Sequence, residues 1–391
     1  MPSEEETARM PQHTAHDWDP RDPALLDDQL GAYDAMRRRC PVAHSEYLHW
    51  SIFRHADVLR ILRDPAAFSN AVSTHASIPN GMDPPEHTPW RALIEPYFAK
   101  EVLATFEPRA RRISARLVAG LPAEGVGDWM GGFADECAVQ LLCAYLGWQE
   151  DLHEPLRHWA KRNQAATLAG DRKAMSLIAL EFDGHIRDQL AMRRNGGGGG
   201  ADLSGRLLAE TIQGRPLRDE EIVSIVRNWT VGELSTLSAS IGILAQYLGT
   251  RPELQQRLRE DPRLVPPAID EILRIHPPLI ANRRKALRPA CIGGREIAPG
   301  ARLTLMWASA NRDETVFGDP DEFRLDRDPA DNLLYGAGVH VCPGAGLSRL
   351  QLRIVLEAVL SGTRSFTCAS APRRARYPAS GFSHLPIQVM R

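Results

Sequence analysis

The stretch Tyr335-Gly-Ala-Gly-Val-His-Val-Cys-Pro-Gly-Ala-Gly346 decides the fold. Glycines stand four and two residues before His340, and Cys342 stands two residues after it. The following segment, 347–360, has the apolar period of a helix, so the stretch predicts a tight turn that delivers a sulfur atom to a helix start. Free backbone N–H groups and the helix dipole stabilise a sulfur anion there, and glycines let the backbone approach a flat ligand closely. Cys342 is therefore predicted to be a thiolate ligand to the metal of a planar macrocycle.

The same stretch resembles the cysteine-ligand loop of the cytochrome P450 family, an aromatic residue followed by Gly-x-Gly-x-His-x-Cys-x-Gly. Every position is matched, with Tyr335 where phenylalanine is usual. The resemblance runs from about Trp18 to the C-terminus. It implies a mainly α fold with small β-sheets, a single prism-like cytochrome P450 fold, that holds haem b (iron protoporphyrin IX). Cys342 would ligate the iron, and Tyr335 and Gly336 would lie against the haem.

A second family motif, Glu-x-x-Arg, is matched by Glu271-Ile-Leu-Arg274 in the helix that leads to Pro277-Pro278. Alone the pair is weak, because acid and arginine at this spacing are ordinary helix-surface partners. The resemblance implies a structural role, a charged clasp that fixes the loop supporting the haem. Glu322 occupies the usual position of a third partner, an arginine, so either Arg324 or Arg327 is expected to serve.

The resemblance also implies basic residues around the haem propionates, which favour multidonor cations. His87 and Arg91 match the family's His-x-x-x-Arg and lie one helical turn apart. Arg284 matches the family's Arg-x-Ala strand, although Arg283 beside it is an open alternative. His340 would make the last propionate contact.

Segment 218–249 is the longest with a helical period, and its nearly all-apolar middle predicts a helix through the centre of the molecule. The family usually carries Ala-Gly-x-(Asp or Glu)-Thr here, whose acid and alcohol relay protons to dioxygen. Leu234 is expected at the acid position and Ser235, followed by Thr236, at the alcohol position. Glu233 lies one residue early, about 100° round the helix, so it does not simply replace the acid. The candidate catalytic residues are Ser235, Thr236 and Glu233.

The missing acid leaves more than one reaction open. The first is ordinary monooxygenation: one oxygen atom from O2 enters a small organic substrate by hydroxylation, epoxidation or dealkylation, with water or Glu233 in the proton path. The second is peroxide-driven oxygenation or oxidative coupling of aromatic rings. A non-catalytic haem sensor is a further alternative. No fused ferredoxin or flavin segment is recognised, so separate ferredoxin or flavodoxin-type proteins are the expected electron donors.

The composition indicates which classes of binding partner are disfavoured and which cellular location is expected. Lys and Arg total 47 against 49 Asp and Glu, a net charge of -2, so no strong field attracts nucleic acid or acidic lipid. No apolar run reaches the roughly eighteen residues of a membrane span. The acidic N-terminus lacks the features of a secretory signal, so a cytoplasmic location is expected. Six scattered cysteines without a Cys-x-x-Cys pair argue against a zinc site.

The chain is expected to divide into a leader and one domain. Residues 1–16 are polar without periodic apolar positions, which predicts disorder, and residues 17–391 are predicted to form a single haem-thiolate catalytic domain. The glycine run 195–200 predicts a flexible surface connection.

Substrate contacts are expected, from the family resemblance, in four places. These are the loop 66–86, which includes His75, the face of the central helix at 231–236, the segment Leu279–Asn282, and a terminal turn near Phe382 and Ser383.

Overall fold

The computed structural model describes residues 17–73, 76–122, 124–196 and 202–391. The predicted leader 1–16, His75 and residues 197–200 of the glycine run lie outside these ranges. Within them the protein is mostly helical with small β-sheets, which confirms the predicted fold class. In the part of the chain described, no helix is long and apolar enough to cross a membrane.

The α-helices, in chain order, are α1 (Pro23–Asp27), α2 (Gln29–Arg39), α3 (His55–Arg63), α4 (His87–Ile94), α5 (Lys100–Ala119), α6 (Asp135–Leu146), α7 (His153–Ala169), α8 (Arg172–Arg194), α9 (Leu203–Ala209), α10 (Asp219–Gly249), α11 (Pro252–Glu260), α12 (Val265–Ile275), α13 (Trp307–Ala310), α14 (Glu314–Phe317) and α15 (Ala345–Gly362).

The β-strands are β1 (Val42–Ser45), β2 (His49–Ile52), β3 (Phe68–Ser69), β4 (Glu124–Asp128), β5 (Thr211–Ile212), β6 (Arg215–Pro216), β7 (Asn282–Ala286), β8 (Ala290–Ile292), β9 (Arg295–Ile297), β10 (Arg302–Leu305), β11 (Ser365–Cys368), β12 (Arg373–Arg374), β13 (Phe382–His384) and β14 (Pro386–Met390).

The long central helix predicted from the sequence is α10. It begins with three consecutive acids, Asp219, Glu220 and Glu221, which interact favourably with the positive end of the helix dipole. The Glu221 side chain also accepts a 2.8 Å hydrogen bond from the backbone N–H of Arg218, which satisfies a group that the helix leaves free. Beyond the first turns, α10 is largely buried and packs against α6, α8, α12 and α15. It therefore runs through the helical core.

The largest sheet joins distant parts of the chain. Its strand order is β1-β2-β10-β7-β3, with β10 parallel to β2 and antiparallel to β7. A three-stranded sheet, β11-β14-β4, likewise pairs the C-terminal strands with the middle of the chain. These long-range pairings support the proposal that residues 17–391 form one domain.

Candidate active site

The cysteine loop forms a tight turn that its glycines make possible. The backbone N–H of Cys342 donates to the carbonyl of Tyr335 at 2.8 Å, which closes the loop just before α15 begins. Gly336 and Gly338 have φ angles of 77° and 70°, in the left-handed region that side chains disfavour. A Cβ at Gly338 would also collide with the carbonyl oxygen of Leu62. Backbone conformation and close approach thus explain the spacing seen in the sequence.

A cavity of about 490 Å³ opens on Cys342. Its walls come from residues 70–73 and 77–81, the middle of α10, the segment 278–284 and the cysteine loop with the start of α15. Central-helix residues in the wall are Asn228, Trp229, Gly232, Glu233, Thr236, Leu237 and Ser240. Trp307, Tyr335 and Gly336 line the same space. The cavity volume lies in the range typical of small-molecule and cofactor sites, roughly 300–1,000 Å³.

The Cys342 sulfur needs a cation to stay ionised. Burial raises the pKa of its thiol, while a hydrogen bond from the Gly344 backbone N–H and the charge of Arg91 lower it. Burial is the largest of these effects, and the Gly344 N–H and Arg91 oppose it. Coordination to a metal ion deprotonates a thiol, and a bound iron would supply what the protein lacks.

Two histidines meet beside the cysteine loop. The rings of His87, at the start of α4, and His340 are 4.4 Å apart between centroids. Burial lowers the pKa of His340 to about 4, and the charges of His87 and Arg284 add to this effect. Burial also lowers the pKa of His87. Among the described residues, the buried Nε2 of His340 has no hydrogen-bond partner, so it is free to meet a ligand.

Two arginines complete this basic cluster. Arg284 is buried in β7, and burial lowers the pKa of its guanidinium to about 10, with Asp83 opposing. Arg91 donates to the Val341 carbonyl at 2.7 Å and pairs with Glu95 at 2.9 Å. Arg283 is exposed, because neighbouring residues of a strand point to opposite faces. Both arginines line the cavity, and Arg284 is the buried one, so Arg284 is the arginine that we propose for a buried anion.

These features fit a haem. The Cys342 sulfur faces a cavity, and the basic cluster of His87, Arg91, Arg284 and His340 suits two propionates, with the unpartnered His340 Nε2 able to donate to one of them. Within the described ranges, no group of His, Cys, Asp and Glu forms an alternative metal site.

The central helix presents Thr236 and Glu233 to the cavity. The Thr236 Oγ1 donates to the Gly232 carbonyl at 2.6 Å. Leu234, expected at the acid position, is only 4% exposed and packs in the hydrophobic core. Ser235, expected at the alcohol position, is exposed and is not among the described residues of the cavity wall. Of these two neighbouring alcohols, Thr236 is therefore the one that lines the cavity.

Glu233 joins the cavity wall next to α15. Its Oε1 accepts a 2.6 Å hydrogen bond from Nε2 of Gln351. Burial raises the pKa of the Glu233 carboxyl to about 7, and the hydrogen bond from Gln351 lowers it in opposition. The sequence analysis did not find Gln351. The available signal was a polar residue at a buried position of an otherwise apolar helix face.

The predicted clasp is formed, and its third member is Arg327. Glu271 accepts from Nε and Nη2 of Arg274 at 2.8 and 2.9 Å, and from Nε of Arg327 at 2.9 Å. Arg324 contributes only its backbone N–H, while its side chain pairs with Asp326. Since Arg274 also donates to the Asn311 carbonyl at 2.8 Å, the clasp joins α12 to the segment after α13.

The substrate side of the cavity carries polar side chains among apolar ones. Asn70, Ser77 and Asn80 from the loop, Asn228 from α10, Leu279, and Asn282 at the start of β7 line it. The expected contact at the terminal turn is wrong for the described cavity, because Phe382 lines a separate small cavity of about 50 Å³. Ser383 lines neither and instead lies against the Arg373 carbonyl.

Comparison with known proteins assigns the family. The model described as "Cytochrome P450" matches residues 200–380. Cytochrome P450 109 of Bacillus spizizenii is 30% identical to this chain over 374 residues, which is 91% of each chain. The erythromycin C-12 hydroxylase of Saccharopolyspora erythraea is also 30% identical, over 94% of this chain and 95% of its own. A mutant of P450 EryK in complex with erythromycin B superposes with a TM-score of 0.84 at 29% identity, over 94% of this chain and 96% of its own. The chain belongs to the cytochrome P450 family.

Family membership makes the chain a haem-dependent oxidoreductase of the monooxygenase type. Its curated relatives include enzymes named as hydroxylases and epoxidases. The sensor alternative has no support among them. Membership also implies an organic substrate, dioxygen and a separate redox partner.

Proposed function

We propose that the chain inserts one oxygen atom from O2 into a small organic substrate by hydroxylation, epoxidation or dealkylation. The observation that carries this proposal is the single cavity around which Cys342, the basic cluster and Thr236 are gathered. Haem b bound through a thiolate supplies electron density that favours O–O cleavage, and this is the chemistry that the protein itself lacks.

In the proposed haem site, the cysteine loop and the basic cluster bind different parts of the haem. Cys342 would hold the iron, while His87, Arg91, Arg284 and His340 would hold the propionates. Because both histidine pKa values are lowered, the rings are neutral near pH 7 in the absence of an anion and can each donate one N–H. Tyr335 and Gly336 would pack against the macrocycle.

The proposed proton path runs through Thr236 and Glu233. The Thr236 hydroxyl donates its own hydrogen to Gly232, so its lone pairs can accept from a water molecule and hold that water in the cavity. Ser235 has no carboxyl to supply the proton. Among the described residues of the cavity wall, Glu233 is the carboxyl group present. We therefore assign Thr236 to orient a water molecule and Glu233 to exchange the proton.

We propose a substrate rich in hydrogen-bonding groups. Four asparagines line the cavity, but the N–H₂ groups of Asn70 and Asn228 already donate to the carbonyls of Asn80 and Ile78. The support for a polar substrate therefore comes from Asn80 and Asn282, because a buried polar group left unpaired by a plain hydrocarbon costs free energy. The Asn282 Oδ1 accepts from the Arg283 backbone, which leaves its N–H₂ group to donate. Relatives named for erythromycin, cyclomarin C and mycinamicin IV point to products of secondary metabolism.

A ferredoxin or flavodoxin-type protein remains our proposal for the electron donor. Two exposed arginines lie beside the cysteine loop. Arg63 follows Leu62, which contacts Gly338, and Arg349 lies over the Tyr335 ring at 4.5 Å and pairs with Asp270 at 3.0 Å. Such a positive surface favours encounter with an acidic partner. The cytoplasmic location expected from the sequence also remains a proposal.

Oxidative coupling or peroxide-driven oxygenation is the second candidate, favoured by the absence of an acid at Leu234 or at Ser235 beside it. A screen of a diverse library for the shift of haem absorption from low to high spin, followed by product mass under isotopically labelled O2, separates the candidates. Monooxygenation predicts one labelled oxygen in the product. Loss of two hydrogens without oxygen would favour coupling, and unlabelled oxygen that comes from peroxide would favour the peroxide reaction.

A further inference from the structure

A carboxyl group without a countercharge lies between α10 and α15. Glu233 accepts its 2.6 Å hydrogen bond from Gln351, a residue with no exposed surface. The Oε1 of Gln351 has no hydrogen-bond partner in the described structure. No ion pair to Glu233 is formed by any residue that the structure describes. The pair therefore contains one acid, one amide and one unsatisfied buried acceptor.

Among the residues that the structure describes, the titratable groups around Glu233 offer it no positive charge. Cys143 and Tyr145 of α6 and Cys342 of the loop interact with it electrostatically, and its negative charge raises the pKa of each. From α15 the facing residue is Gln351, which is neutral.

The arginines that act on Cys143 and Tyr145 make contacts with other groups. Arg109, which acts on Cys143, donates to the Ala144 carbonyl, and Arg206, which acts on Tyr145, lies over the Tyr97 ring at 4.6 Å. A proton is thus the available means of neutralising Glu233.

The pairing with Gln351 prepares a place for that proton. A neutral carboxylic acid has one O–H donor and one carbonyl acceptor, so it can make two hydrogen bonds with a carboxamide. Gln351 already donates from Nε2, and the acid O–H could satisfy its orphaned Oε1. Burial raises the pKa of Glu233 to about 7, which puts proton exchange in the neutral range. Both protonation states are therefore accessible where the protein works.

We propose that Glu233 takes up one proton from solvent when the haem iron accepts one electron from the redox partner. The iron is reduced from the ferric to the ferrous state, the partner is oxidised, and a new O–H bond forms on the Glu233 carboxylate. Charges balance, because the proton cancels the charge that the electron adds. The inference rests on the proposed haem site, in which Cys342 holds the iron beside this carboxyl. The coupling arises because the electron added to the iron and the negative charge of the carboxylate repel each other, and charges interact more strongly where water is excluded.

The test is the haem midpoint potential of the holoenzyme, measured by spectroelectrochemistry across roughly pH 5 to 9. Reduction raises the pKa of Glu233, so the potential falls as pH rises between the oxidised-state and the reduced-state pKa values. One proton per electron sets the limiting slope at about 59 mV per pH unit. Glu233→Gln should flatten the potential in this range. The matched control Glu220→Gln, an exposed acid on the same helix, should keep the wild-type slope.

A wild-type potential that does not vary with pH, or a slope that survives in Glu233→Gln, overturns the inference. If that variant fails to bind haem, the reduced-minus-oxidised infrared spectrum of the wild type decides: a new carboxylic acid C=O band on reduction supports the inference, and its absence overturns it. The carbon monoxide spectrum of the wild type distinguishes failure of this inference from failure of the proposed haem site. A thiolate band together with a potential that does not vary with pH would overturn the inference alone. A missing thiolate band would overturn both the haem site and the inference.

Discussion

Removal of the Glu271 carboxylate should detach the clasp and cost the protein its haem. The side chains of Glu271 and Arg274 are 5% and 1% exposed, and Glu271 accepts four hydrogen bonds from Arg274, Arg327 and the Arg324 backbone. Glu271→Ala leaves the Arg274 guanidinium buried with only carbonyl partners, Asn311 at 2.8 Å and Pro320 at 2.9 Å.

Loss of one member of a buried ion pair costs about 3–5 kcal/mol, because the remaining charge is uncompensated. Much of a typical domain's stability, about 5–15 kcal/mol, would then be lost. We expect purified Glu271→Ala to be mostly free of haem, as measured by the ratio of haem absorbance to protein absorbance. Urea unfolding should give the corresponding loss in unfolding free energy.

Glu154→Ala is the matched control. Glu154 also pairs with an arginine, Arg157, but its side chain is 58% exposed. Exposed pairs contribute about 0–1 kcal/mol, so this variant should keep its haem and its stability. The reasoning about the clasp is refuted if Glu271→Ala retains haem and unfolds within 1 kcal/mol of the wild type, a margin of the size of an exposed pair.

Three further predictions follow from the loop, the basic cluster and the cavity wall. Arg284→Ala should speed haem transfer to apomyoglobin, because a propionate partner is lost, while exposed Arg283→Ala should not; equal rates would contradict the assignment. Thr236→Ala should divert reductant into hydrogen peroxide, because a positioned proton-transfer group contributes about 10² to 10⁴ in rate. Ser235→Ala should leave the coupling of reductant to product within twofold of the wild type, roughly the scatter of such measurements. The reverse pattern would indicate that Ser235 is the alcohol in the cavity. Gly338→Ala should destabilise the holoenzyme by about 1–3 kcal/mol or more, because the φ of 70° at Gly338 suits glycine and strains other residues. An unchanged thermal unfolding temperature would show that the loop relaxes to accept alanine.

The sequence alone identifies the features that depend on local spacing. The glycines before Cys342 are required by two left-handed backbone conformations, so a pattern of a few residues carries the information. The same holds for Glu271 and Arg274, which face each other because they are three residues apart on one helix. Arg327 could not be separated from Arg324 by spacing, since both lie in an irregular segment whose path is set by tertiary contacts.

In α10, the spacing of residues along the sequence does not predict which of them face the cavity. A one-residue shift rotates a helix by about 100°, and the motif gives no measure of which face meets the cavity. Packing decides it: Leu234 is drawn into the hydrophobic core, which turns Thr236 and Glu233 toward Cys342 and leaves Ser235 exposed. The partnership of Glu233 with Gln351 was beyond prediction because it joins residues 118 positions apart.

The most direct test of the account is the absorption spectrum of the reduced holoenzyme with carbon monoxide. The account predicts the band characteristic of thiolate-bound haem, its loss in Cys342→Ala, and its retention in Cys137→Ala and Cys143→Ala, whose cysteines are buried in the helical core. A band typical of histidine-ligated haem in the wild type, or an unchanged thiolate band in Cys342→Ala, would contradict it.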